Sequence, residues 1–499
     1  MQPLLAAVSS TTWPFIVLAV CVAFIIVAIT KLRLHAFIAL IFAAFLAGFL
    51  TNEFSPAVLD KLSKSARASA EGNRWLATVE LTMVEFGTTA AAISISIGLA
   101  AIIGLALMES GAADKVVRRF LGFFGAKRAG LALLWSTYVL SIPIFFDTMF
   151  MLMVPLARAL RLRTGKDYTL YLLCICCGGV VTHSLTVPHP GPLATVDNLG
   201  LDVGLSLIVG IVAGILPCLG GYFVARWING RLNVPLRETR GASLESLAGI
   251  SAQPESALPS FIASILPVIL PIGLISVASV CTVAKGSFPG VVAALGGEAS
   301  FNSINRVVQF LGNKNIALIL GAFIALWVLA RQRGYSFRQV EELLGPPIET
   351  AGVIILITSA GGAFGLMLRN AGVGDAIKAA AAGTPINLAV LAWLVAAVIR
   401  VAQGSATVAM LTTSAMVAPM MDPTTGGALP FHPMYLFLAI GFGAFFCSWM
   451  NDSGFWVVSR LSGMTETETL RSWTLLLTTV SVFGLLLTWL ASTLFPLPG

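Results

Sequence analysis

The chain alternates long apolar stretches with short polar segments, and this pattern predicts membrane-spanning helices. Ten of the stretches are long enough to cross about 30 Å of hydrocarbon as single helices. They cover residues 14–30, 35–51, 83–107, 169–185, 203–225, 260–283, 316–330, 351–368, 434–450 and 473–496. We therefore predict an all-α polytopic membrane protein with about ten transmembrane helices, which has the lipid bilayer as a partner.

Two further apolar stretches, 129–157 and 386–420, are too long for one span and are interrupted near the middle. The first contains Pro143, which removes a backbone donor and disturbs a helix, and the second is broken at residues 403–405. Each half of the first stretch has about 13 residues, or roughly 20 Å of helix, which reaches only the bilayer midplane. Two full spans remain an alternative, but basic residues at both ends of the first stretch favour re-entrant hairpins.

With one hairpin in each, the two halves of the chain contain five spans apiece. Residues 1–225 form the first half, residues 226–259 a polar linker, and residues 260–499 the second half. Because five is odd, the second half is expected to be an inverted repeat of the first, which is typical of secondary transporters. If the N-terminus lies outside, the inside loops hold roughly two thirds of the 30 Lys and Arg residues, and the linker is cytoplasmic.

The composition agrees with a membrane protein and excludes other classes. Only 11% of the residues are charged and 57% are hydrophobic, whereas a soluble domain has about 25% charged residues. The net charge of +7 comes from short loops between apolar stretches, so we predict no nucleic-acid partner. The seven cysteines lack metal-ligand spacing, and we expect neither a disulfide nor a metal site. The first stretch has no basic segment before it, so we interpret it as a retained span and not a signal peptide.

Four breaks in the predicted helices place polar residues inside the hydrocarbon region of the bilayer. Two are the hairpin tips, and the others follow in the next spans, at residues 182–192 and 451–454. Non-helical backbone at that depth is tolerated only where it is buried in protein or lines a cavity, so the four breaks are expected to converge. A half-helix that begins at a break presents free N–H groups and a positive dipole end, which suit a carboxylate.

The ionisable and hydroxyl residues at the breaks form the candidate site, because charged groups inside the membrane are costly and indicate function. The candidates for proton coupling are Asp147, His183 and Asp452, whose protonation can change in step with binding. The candidates for substrate binding are Thr182, His183, His189, Gly404, Ser405, Thr407, Asn451 and Ser453. Three alternatives stay open: His189 as a partner for carbonyls freed by the break, Arg400 as a substrate partner or a structural ion pair, and Gly404 to Thr407 as plain helix packing.

The segment Val181-Thr182-His183, followed by Pro188-His189-Pro190-Gly191-Pro192, resembles the hallmark of the gluconate permease family, the gluconate:proton symporters of the ion transporter superfamily. Segments 144–147, 404–409 and 451–456 match in order, and the resemblance covers roughly residues 85–490. It implies proton-coupled uptake of gluconate or a related sugar acid across the bacterial inner membrane. It implies a small anionic substrate, no cofactor besides the proton, and a scaffold with a moving transport domain, often in a homodimer.

The chain departs from the family pattern at two places. Asp147 stands where the family has Glu, and Leu185-Thr186-Val187-Pro188 precedes His189 where the family has Leu-Pro-Pro. The substrate therefore stays open to glycerate, lactate, fructuronate or D-serine, and the coupling ion to sodium. An intramembrane metalloenzyme based on His183 and His189 is a remote alternative, because the sequence has no His-Glu-x-x-His motif. We predict a transporter and not an enzyme, and assign no function to the outside segment 52–82.

Overall fold

The computed structural model describes residues 12–51, 54–60, 62–70, 72–237, 255–287, 297–373, 376, 387–421, 429–450 and 452–496. Every regular element in these ranges is a helix, and they contain no strand. The longer helices are α1 (Trp13–Thr30), α2 (Ala36–Leu50), α3 (Arg74–Glu109), α4 (Ala112–Phe124), α5 (Ala129–Leu140), α6 (Phe146–Thr164), α7 (Tyr168–Leu185), α8 (Pro190–Asn198), α9 (Val203–Asn229), α10 (Phe261–Ser287), α11 (Gly297–Leu311), α12 (Lys314–Arg333), α13 (Gly345–Asn370), α14 (Leu388–Gln403), α15 (Ala406–Val417), α16 (Met434–Gly443), α17 (Ser453–Ser462) and α18 (Leu475–Leu494).

Seven helical segments in the described part of the chain are long and apolar enough to cross a membrane. They contain α3, α7 with α8, α9, α10, α12, α13 and α18, and six shorter apolar helices accompany them. The structure thus confirms the predicted all-helical membrane class. The number of ten spans, their orientation and the division into two halves stay predictions.

The extents of three helices differ from those that the hydropathy pattern predicts. Helix α3 begins at Arg74, ahead of the predicted span, since the Asn73 side chain accepts a hydrogen bond from the Leu76 amide at 3.2 Å. Helix α16 ends at Gly443, well short of residue 450, and residues 444–447 form a turn after it. Helix α4, with apolar and charged faces, lies where the sequence predicted only a loop.

The four predicted breaks all separate helices in the structure. Helices α5 and α6 are separated at residues 141–145, and α14 and α15 at residues 404–405. Helices α7 and α8 are separated at residues 186–189, and α16 and α17 at residues 444–452. Each half of the chain therefore contains two broken helix pairs in the same order, while their arrangement as re-entrant hairpins stays a prediction.

Helix α7 lies at the centre of these pairs, and almost all of it is buried. Glycines let the neighbouring backbones approach it closely. A Cβ atom on Gly178 of α7 would lie 2.4 Å from the Leu134 carbonyl oxygen of α5. A Cβ atom on Gly441 of α16 would lie 2.8 Å from the Ser184 carbonyl oxygen. Broken pairs from both halves of the chain therefore pack against α7 and bring their breaks to one place.

Candidate functional site

A cavity of about 280 Å³ lies where four of the half-helices begin. The first turns of α6, α8, α15 and α17 line it through Asp147, Pro190, Thr407 and Ser453. Each helix N-terminus carries about half a positive charge, so four of them together favour an anion. Not all of their amides are free, because the Gly454 and Val408 amides already donate to side chains and the two prolines in the first turn of α8 have no N–H. The sequence predicted that the breaks converge, and the structure places residues from each of them around this cavity.

A buried ion pair lies in the wall of the cavity. The Nη2 atom of Arg400 pairs with Oδ2 of Asp452, and the two side chains are only 4% and 10% exposed. The Nη1 atom of Arg400 donates to the carbonyl of Gly404, while Nε has no partner among the described residues. Gly404 has a φ of +87°, a conformation that favours glycine, and this turn ends α14 beside the guanidinium. Arg400 thus forms an ion pair and is one of the residues that line the cavity.

Two further groups hold the Asp452 carboxylate. The Ser448 hydroxyl donates to Oδ2, and the Gly454 amide donates to Oδ1 at 2.9 Å, which caps the start of α17. The indole Nε1 of Trp473 in turn donates to Ser448 Oγ at 2.8 Å. Sequence reasoning found Asp452 but missed Ser448 and Trp473. Ser448 lies four residues before Asp452, which is a weak signal, and no local pattern links Trp473 to the break.

Asp147 differs from Asp452 in its surroundings. Its side chain is exposed, lines the cavity and makes no hydrogen bond or ion pair with any residue that the structure describes. It lies in the first turn of α6, within electrostatic range of Asp452. The cavity therefore holds two carboxylates and the guanidinium of Arg400.

The two candidate histidines are adjacent but differ in their contacts. Their ring centroids are 4.4 Å apart, and only His183 lines the cavity. Nδ1 of His183 is buried and has no partner in the described part of the chain. Nε2 of His189 is hydrogen-bonded at 2.6 Å to the carbonyl of Ser141, just after the end of α5. The contact of His189 is the one expected if this residue partners a carbonyl freed by the break.

The remaining candidates divide between the cavity and the packed interior. Gly404, Ser405, Thr407 and Ser453 line the cavity. The Ser405 hydroxyl also accepts the Val408 amide at 3.3 Å and so caps α15. Thr182 does not line the cavity, and its hydroxyl donates to the Tyr138 carbonyl at 2.9 Å. Asn451 lies outside the described residues.

An aromatic wall that the sequence did not reveal completes the cavity. It consists of Phe145, Phe146, Phe445 and Trp473. The ring centroids of Phe146 and Trp473 are 5.3 Å apart. These residues escaped notice because an apolar side chain in an apolar span gives no sign of which way it faces. Among the described residues, no three His, Cys, Asp or Glu side chains come together as a group that could hold a metal ion.

The overall fold resembles that of two solved transporters. MtrF of Neisseria gonorrhoeae matches with a TM-score of 0.61 and 15% identity, over 93% of this chain and 96% of MtrF. The YdaH transporter of Alcanivorax borkumensis matches with a TM-score of 0.54 and 14% identity, over 93% of this chain and 98% of YdaH. At this identity the likeness concerns the fold alone.

Sequence comparison is more specific. The profile described as GntP family permease matches residues 13–494. A gluconate permease of Pseudomonas aeruginosa is 32% identical over 467 residues, covering 92% of this chain and 93% of the relative. The Gnt-II system L-idonate transporter of Escherichia coli is 29% identical over 473 residues, covering 95% of this chain and 98% of the relative. The chain therefore belongs to the GntP family of permeases and is a multi-pass transporter of the inner membrane.

Proposed function

We propose that this permease carries gluconate or a related sugar acid into the cell by symport with a proton. The observation that carries the proposal is the meeting of four helix N-termini and the Arg400 guanidinium in one cavity. The relatives support the substrate class, because they include a gluconate permease and an L-idonate transporter, whose named substrates are both sugar acids.

The cavity offers separate partners for the two ends of such a substrate. The carboxylate binds the Arg400 guanidinium and the amides at the start of α15, where a charge-assisted hydrogen bond is strong. The hydroxyl groups of the substrate bind Thr407 and His183, whose side chains line the cavity and are partly exposed. A bound polyol would supply these side chains with hydrogen-bond partners.

The charge balance of the cavity gives a reason for coupling. Among the described residues that line the cavity, Asp147 and Asp452 oppose one guanidinium, that of Arg400, and a substrate carboxylate would add a third negative charge. The pair of Arg400 and Asp452 is buried, and a further uncompensated charge beside it is costly, so the anion binds best together with a cation. A proton on Asp147, His183 or Asp452 removes this cost. The substrate carboxylate also competes with Asp452 for Arg400, which links its arrival to the release of that aspartate.

The test is uptake of radiolabelled gluconate into proteoliposomes under an imposed inward proton gradient. We expect accumulation that an uncoupler abolishes and that unlabelled sugar acids displace better than lactate, glycerate or D-serine. Arg400→Gln is expected to reduce uptake at least a hundredfold. Arg306→Gln is the matched control, because Arg306 is an exposed residue of α11 that does not line the cavity, and uptake is expected to stay at the wild-type level.

A sodium gradient without a proton gradient provides the second arm. Accumulation driven by sodium alone would replace the proton in the proposal and leave the substrate class intact. Displacement only by lactate, glycerate or D-serine would contradict the sugar-acid assignment. Uptake by Arg400→Gln at the wild-type level would contradict the proposed role of the cavity.

The homodimer and the absence of a cofactor besides the coupling ion are also part of this proposal. Both rest on the family resemblance. Native mass spectrometry of the detergent-extracted permease is expected to give the mass of two chains, and a monomer would contradict the dimer. Elemental analysis of the same sample is expected to find no stoichiometric metal.

A further inference from the structure

A second cavity of about 190 Å³ lies on the other side of the break between α5 and α6. Its walls come from α3, from the break itself and from the beginning of α13. Pro346 and Thr350 line it and are exposed, so the cavity is reached from the end of α13 that follows residues 331–344. The sequence predicts this end to be cytoplasmic.

Helix α13 connects the second cavity with the central one. Pro347 and Thr350 line the second cavity, and Ile354 and Ile357 line the central cavity. The spacing of these four residues, three, four and three, places them on one face of the helix. The face is about 15 Å long at 1.5 Å per residue. The two cavities therefore lie next to each other along a single helix face.

Phe145 is the residue that both cavities share in the described structure. It is half-buried and immediately precedes α6. Its ring lies against that of His189, with the centroids 5.9 Å apart. The neighbouring Ile144 is buried against Gly104 of α3, where an added Cβ atom would lie 3.5 Å from its side chain. Ile144 thus anchors the backbone of the break, while the half-buried Phe145 ring packs between the core and the His189 ring and makes no hydrogen bond or ion pair that would fix its orientation.

We propose that the second cavity is the part of the substrate pathway toward residues 331–350 and that the Phe145 ring is the gate between it and the central cavity. The proposal rests on the proposed transport function. Apart from Thr148 and Thr350, the side chains that line the second cavity are apolar, so it contains no charged group that would bind a sugar acid, and the substrate would cross it in hydrated form. In the orientation observed, Phe145 lines both this passage and the cavity that contains Arg400, so a rotation of its ring would change the opening between them.

Cysteine labelling tests the gate without any substrate. Thr350→Cys reports on the second cavity and Ile357→Cys on the central one, two turns apart on the same helix. The background carries Cys281→Ser and Cys447→Ser, because the other cysteines are buried. A membrane-impermeant maleimide is applied to inside-out vesicles, which present the side of residues 331–350 in the predicted topology, and to right-side-out vesicles.

We expect fast labelling of Thr350→Cys from one side and labelling of Ile357→Cys at least tenfold slower from that side. Adding Phe145→Ala is expected to raise the Ile357→Cys rate at least tenfold and to leave the Thr350→Cys rate unchanged. Phe323→Ala is the matched control, since the Phe323 side chain is 76% exposed and lines neither cavity. Phe145→Leu is expected to give an intermediate rate and serves as the test if the alanine variant does not fold.

Three results would overturn the gate. The first is equal labelling rates for Thr350→Cys and Ile357→Cys when Phe145 is present. The second is an Ile357→Cys labelling rate that neither Phe145 substitution changes. The third is the absence of Thr350→Cys labelling from either side. None of these three results depends on which substrate the permease transports. A failure of gluconate uptake with the expected labelling pattern would therefore contradict the proposed function and leave the gate in place.

Discussion

At the scale of single residues, the two cavity carboxylates differ in what their removal should do. Asp452 is held by Arg400, Ser448 and the Gly454 amide, whereas Asp147 has no protein partner in the described structure. Asp147→Asn therefore removes a negative charge at nearly constant volume without breaking a described bond. We expect folding to be kept and proton-driven accumulation to fall to background, while exchange of labelled for unlabelled substrate continues. Counterflow and gradient-driven uptake in the same proteoliposomes check this.

The control for this residue is Asp197→Asn, an exposed aspartate of α8 that does not line the cavity. It should accumulate substrate as the unmodified protein does. Accumulation by Asp147→Asn at that same level would rule out Asp147 as the coupling group and leave His183 and Asp452 as candidates.

At the scale of helices, close packing around α7 positions the breaks. A Cβ atom on Gly178 would lie 2.4 Å from the Leu134 carbonyl oxygen and 3.0 Å from the Tyr138 amide nitrogen. Because these are backbone atoms, Gly178→Ala must push α5 away from α7 and strain the hydrogen bond from Thr182 to Tyr138. We expect a loss of about 1–3 kcal/mol in stability, seen as a lower melting temperature of the detergent-solubilised protein.

Gly273→Ala in α10 is the matched substitution, since no atom outside its own helix turn lies within 4 Å of the added Cβ. An alanine there is expected to stabilise the helix by about 0.5–1 kcal/mol. Equal melting temperatures for the two variants would show that the approach of α5 to α7 does not contribute to stability.

At the scale of the whole molecule, the described ends of the linker between the halves are tied to distant helices. Arg237 makes two hydrogen bonds to the Glu468 carboxylate, at 2.6 and 2.9 Å, and its carbonyl accepts Arg158 of α6 at 2.6 Å. At the other end, Lys115 of α4 donates to Glu255 at 2.8 Å and lowers the pKa of that carboxyl. The paired guanidinium and carboxylate of Arg237 and Glu468 are only partly exposed, so a double-mutant cycle is expected to give a coupling energy of about 1 kcal/mol.

The cycle combines Arg237→Gln with Glu468→Gln and reads the unfolding free energy in detergent. The pair of Arg338 and Glu342 provides the comparison, because its side chains are 87% and 67% exposed and their atoms are 3.4 Å apart. Its coupling energy should be close to zero. A zero value for Arg237 and Glu468 as well would show that this ion pair does not contribute to stability.

The sequence by itself determined the class of the protein, the approximate position of most helices and the location of the breaks. The physical reason is that a backbone in lipid must satisfy its own hydrogen bonds, so apolar stretches become helices. The residues that interrupt them are then visible locally. Pro143 and Gly404 mark two breaks, and the motif around His183 identifies the family whose profile matches residues 13–494.

Only the tertiary structure decided which of these residues meet. Arg400 and Asp452 form an ion pair although they are 52 positions apart in the sequence. The Thr182 hydroxyl donates to the Tyr138 carbonyl, whereas its neighbour His183 lines the cavity. The position of Phe145 between two cavities had no sequence signal. Such contacts depend on how distant helices pack through small residues such as those around α7, and an apolar stretch carries the same pattern whichever face it buries.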